Sequence, residues 1–87
     1  MPPHVTFRLN VEHFRQVLEV VLAPSAPDHL TNLVLLKCTR PHGGIISIPI
    51  PRADAQDICH LVFEAAATDP TFVELGNLLR GLLADAG

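Results

Sequence analysis

Cys38 stands four residues ahead of His42, and Cys59 directly precedes His60, so thiol and imidazole occur twice as near neighbours in this 87-residue chain. Sulfur and imidazole nitrogen are donors that zinc prefers, and a thiol beside an imidazole is also the pairing that generates a nucleophilic thiolate. The spacing argues against both uses. Neither a C-x2-C nor an H-x3-H element is present, and adjacent residues on a helix project about 100° apart, which keeps Cys59 and His60 from facing one ion. A small metal- or thiol-dependent enzyme using Cys38, His42, Cys59 and His60 is therefore the second reading of the chain. The plainer one makes Cys59 a core residue and His60 a solvated one.

Other reactive side chains carry less. Ser25 and Ser47 lack the G-x-S-x-G frame of a nucleophile elbow. Asp54 and Asp57 fall in the first turns of an expected helix, where their charge suits the helix's positive end. Gly43-Gly44 has no phosphate-binding pattern around it and reads as a turn needing positive φ. Arg40 and His42, beside that turn, are candidates for an exposed recognition loop. No metal, cofactor or small-molecule substrate is implied.

Charge narrows the partners. Nine acids against six bases give a formal charge of -3, with no run of like sign. Phosphate recognition needs a clustered basic face, and only Lys37, Arg40 and Arg52 could gather at one end of the fold, which disfavours nucleic acid. No stretch of eighteen uncharged apolar residues exists to span a membrane. Met1-Pro2-Pro3-His4 does not read as a secretory leader, which points to the cytoplasm, where Cys38 and Cys59 stay reduced.

The elements that must position these residues follow from hydrophobic periodicity. Val5, Phe7 and Leu9 alternate with His4, Thr6 and Arg8 as in a half-buried strand. Asn10 then caps a helix whose apolar stripe is Val11, Phe14, Val17, Leu18, Val21 and Leu22, ended by Pro24. Leu33 to Thr39 and Ile45 to Ile50 read as a β-hairpin across a five-residue loop, with Pro49 on an edge. A helix over Ala53 to Ala67 follows, and Thr68-Asp69-Pro70 starts a last one containing Leu75, Leu78, Leu79, Leu82 and Leu83. The expected fold is a single α+β domain over residues 1–87. Its order is strand-helix-strand-strand-helix-helix, with a small three-stranded sheet and helices mainly on one face.

Hydrophobic residues make up 48% of the chain and charged ones 17%, leaving more apolar surface than a domain this small readily hides. The expected outlet is a protein interface on two surfaces: the outward sheet positions Leu33, Leu35 and Ile45, and the leucine face Leu75, Leu78, Leu79, Leu82 and Leu83. Gly76 and Gly81, tolerated inside a helix, suggest close approach of another backbone. The function that fits is a non-enzymatic protein-binding module. It is either a homodimer or a small inhibitor or adaptor on a larger complex, such as a phage or mobile-element antagonist of a host system.

Overall fold

A computed structural model describes residues 4–86. Strand β1 (His4–Asn10) leads into helix α1 (Val11–Val21), then α2 (Asp28–Lys37), strand β2 (Ile45–Pro51), helix α3 (Arg52–Ala66) and, after a single 3-10 turn at Pro70–Phe72, helix α4 (Val73–Ala86). Two of these starts are fixed by a side-chain cap. The Asn10 side chain accepts from the His13 N–H at 2.7 Å and caps α1. Asp69 accepts from the Thr71 N–H at 3.0 Å and from its hydroxyl at 2.7 Å, fixing the turn that feeds α4.

Among the described residues the sheet has two strands, not three. β1 pairs antiparallel with β2 in a register that sets Val5 against Ile50, Phe7 against Ile48 and Leu9 against Ile46. The expected hairpin is absent because Leu33 to Lys37 belongs to α2. That run is apolar on both sides and too short for periodicity to tell strand from helix. Leucine is a strong helix former, and Val34 is the one β-branched residue in the run, so a helix begun at Asp28 after Pro27 continues through it. Residues Cys38 to Gly44 connect α2 to β2, with Gly43 and Gly44 at φ of 61° and 79° as the turn requires.

One face of the sheet is buried. Val5, Phe7, Leu9, Ile46, Ile48 and Ile50 join residues of all four helices, including Val17, Leu30, Ile58 and Leu79, in one core. Their strand neighbours His4, Thr6, Arg8, Ile45 and Pro49 are exposed on the other face. On the core face α2 packs on β2 and α4 packs on β1, while α1 and α3 touch both strands. The two sides of the sheet therefore have different helical neighbours.

Candidate functional site at the open edge of the sheet

The two edges of the sheet are unlike. The Thr39 N–H donates to the Ser47 carbonyl at 2.9 Å, and the Ser47 N–H donates to the Thr39 hydroxyl at 3.1 Å. Both backbone groups of Ser47 therefore point away from β1. Arg8 lies opposite Ser47, so theirs is a pair without ladder bonds, and the flanking pairs Phe7–Ile48 and Leu9–Ile46 exchange them. Alternation directs Pro49 and Pro51 outward as well, where a missing N–H costs the ladder nothing and offers no donor. Thr39 and the two prolines close the β2 edge.

By the same alternation Thr6 and Arg8 aim their backbone N–H and C=O groups out of β1, on the side where no strand of the described residues pairs. Proline, bulges, charged side chains or a covering element commonly protect such an edge. Across His4–Asn10 β1 carries the charge of Arg8 but no proline, bulge or second pairing strand.

Helix α4 stands on this side of the molecule. Leu75 and Leu79, expected on an interface, are 0% exposed and belong to the chain's own core. Leu78, Leu82 and Leu83 are half-buried against that core. The Arg52 guanidinium donates twice to the Leu83 carbonyl, at 2.9 and 3.2 Å, tying the last turn of α4 to the start of α3. Gly76 makes room for a side chain rather than a backbone. A Cβ there would lie 3.0 Å from Phe63 Cε1, and Arg80 sits over the same ring at 5.5 Å. Gly81 has nothing within 4 Å of a Cβ, so no close approach explains it.

Leu33 and Leu35, expected on the outer sheet face, lie on α2. Leu33 is half-buried against the core and Leu35 is 56% exposed. Ile45 opens β2 at 40% exposure, and Leu36, which sequence reasoning passed over, is 81% exposed. In a strand, alternation would turn Leu36 to the face opposite Leu35, so only the helix reveals its exposure. Arg40 and His42 are exposed on the α2–β2 connection, where His42 and Ile45 exchange backbone hydrogen bonds of 2.9 and 3.1 Å.

The thiols and imidazoles do not converge. Among the described residues no three of Cys38, His42, Cys59 and His60 bring their ligand atoms within 4.8 Å of one another. Cys59 is buried, and burial pushes its thiol pKa up against a smaller opposing effect of Arg80. Cys38 is half-buried with its Sγ 3.5 Å from the Leu35 carbonyl. His60 pairs with Glu64 at 3.0 Å on exposed α3. The three donors that do come together are His29, Asp54 and Asp57, with His29 Nε2 3.3 Å from Asp54 Oδ1. This surface contact joins the first turn of α2 to that of α3. The Asp54 and Asp57 pair thus faces an imidazole as well as its own helix end. Arg52 is engaged with Leu83 rather than grouped with Lys37 and Arg40.

No helix of the described residues is long and apolar enough to cross a membrane. Compared with protein-family models, with curated proteins and with solved structures, the chain matches none.

Proposed function

We propose that the chain is a non-enzymatic protein-interaction module whose partner is a second copy of itself. The observation that carries this reading is the asymmetry of the sheet: β2 is closed by Thr39, Pro49 and Pro51, whereas β1 keeps an open edge beside the leucine-rich α4. Exposed apolar side chains at Leu35, Leu36 and Ile45 add surface that water solvates poorly. Closed two-fold dimers are the commonest way for a small chain to cover such surface. Two unbridged cysteines suit a reducing compartment, and with it the cytoplasm.

Light scattering over a range of concentrations tests the reading. The expected mass is twice the 9.4 kDa of one chain. A protein that keeps the single-chain mass at the highest attainable concentration contradicts it.

A further inference from the structure

We infer that two copies join antiparallel along β1, making one continuous four-stranded sheet in the order β2, β1, β1 of the partner, β2 of the partner. This rests on the homodimer reading and specifies the surface that makes it. The edge is self-complementary. Thr6 and Arg8 both aim N–H and C=O outward, so an antiparallel copy meets donor with acceptor and acceptor with donor. Side chains obey the same symmetry: Val5, Phe7 and Leu9 stay on the helical face in both copies, and Thr6 and Arg8 on the open face.

Overlap and charge together select the register. Centring the dyad on Phe7 sets Thr6 against Arg8 of the partner and His4 against Asn10 of the partner. Moving the dyad to Arg8 would set two guanidinium groups against each other, which is destabilising across a strand pair. Centring it on Thr6 pairs only residues 4–8 of each strand, five positions against seven for a dyad on Phe7. The Phe7-centred register pairs all seven residues of each strand and sets no two basic side chains against each other.

The helices constrain the seam. Strands lie about 4.8 Å apart but helices pack about 8–10 Å apart, so the two copies of α4 straddle the dyad rather than sit directly beneath it. Helix α4, which packs on β1, carries Leu78, Leu82 and Leu83 as half-buried apolar side chains.

The closing experiment measures the dimer Kd by sedimentation for the wild type and for Thr6→Pro, Thr6→Glu and Thr6→Lys. Proline at position 6 removes an outward N–H and no bond within the chain, as Pro49 does opposite it. It is expected to weaken the dimer about a hundredfold, from two lost hydrogen bonds at roughly tenfold each. Thr6→Glu is expected to tighten it about fivefold by facing Arg8 of the partner twice, and Thr6→Lys to loosen it by a similar factor. A wild-type dimer unmoved by Thr6→Pro overturns the β1 edge while leaving the homodimer reading standing, and a wild-type monomer overturns both. Thr6→Glu weakening the dimer overturns the register, since only a Thr6-centred dyad sets the two glutamates together. If Thr6→Pro does not fold, hydrogen exchange on the wild type decides. The Thr6 and Arg8 amides are expected to be protected at concentrations above Kd and to exchange rapidly below it, and equal exchange in both conditions overturns the proposal.

Discussion

Gly76 and Gly81 share one helix, and replacing each by alanine is expected to move stability in opposite directions. Gly81 is exposed in α4, and its new Cβ would meet nothing within 4 Å. Removing glycine's conformational cost from a helix interior is worth about 1 kcal/mol. With an unfolding entropy of about 2.1 cal/mol/K per residue, that gain raises Tm by about 5 °C for a domain this size. Alanine at 76 earns the same helical gain but sets its Cβ 3.0, 3.2 and 3.3 Å from three carbons of the Phe63 ring. Comfortable carbon contacts begin at about 3.5 Å, so the ring must retreat by about half an ångström and loosen its place under Arg80. Overpacking of this kind costs about 1–3 kcal/mol. Phe63 is 37% exposed and can tilt outward, which holds the cost to about 1.5–2 kcal/mol and leaves a net loss of about 0.5–1 kcal/mol. Urea unfolding of both variants measures the contrast. Repeating Gly76→Ala in a Phe63→Ala background should restore the full gain of about 1 kcal/mol, because the two changes share a contact. Gly76→Ala stabilising the wild type as much as Gly81→Ala would refute the placement of Phe63 against α4.

Thiol titration of the native protein should modify Cys38 well before Cys59, since burial holds the Cys59 thiol in its protonated, unreactive form; equal rates would contradict the burial of Cys59. For Asp69, hydrogen bonds from the Thr71 hydroxyl and then the Thr71 N–H hold the carboxyl below its ordinary range. The native state thus binds that proton less tightly than the unfolded one. The contribution is present above the ordinary carboxylate pKa and lost as pH falls through the depressed native value. Asp69→Asn, which keeps an acceptor but cannot titrate, should lose less stability than wild type on acidification to about pH 3, and identical profiles would show that Asp69 is not part of the linkage.

What could be read from the chain was whatever depends on near neighbours. Asn10 and Asp69 are capping residues by type, and they cap where their positions lead one to look. Gly43 and Gly44 take the positive φ that glycine accommodates. The alternation of β1 places Val5, Phe7 and Leu9 in the core. The failures share a cause, which is that two-sided apolar segments take their structure from what they pack on. Leu33 to Lys37 could be strand or helix by pattern, and the helix leaves Leu35 and Leu36 in solvent. The α4 leucines formed one face in sequence, yet the fold divides them between a buried pair, Leu75 and Leu79, and a half-buried set, Leu78, Leu82 and Leu83. The open edge was legible from neither pattern nor composition. It exists because no strand of the described residues pairs with the outward groups of Thr6 and Arg8, while Thr39 takes those of Ser47 on the opposite edge, and both are facts of long-range pairing. Pro49 was a partial signal, since a proline inside a strand marks the edge that no partner can use.

The central claim, β1 against β1 with the dyad at Phe7, is tested most directly by an isotope-filtered NOE experiment on a mixture of labelled and unlabelled chains. That register makes Val5 and Leu9 of the partner a pair without ladder bonds, with Cα atoms about 4.5 Å apart. Within one chain four strand residues separate them by about 13 Å, so any contact between their Hα atoms must cross between copies. The predicted result is a strong Val5 Hα to Leu9 Hα cross-peak from labelled to unlabelled chain. A dimer whose intermolecular cross-peaks arise elsewhere, on the exposed Leu35 and Leu36 of α2 for instance, would contradict it.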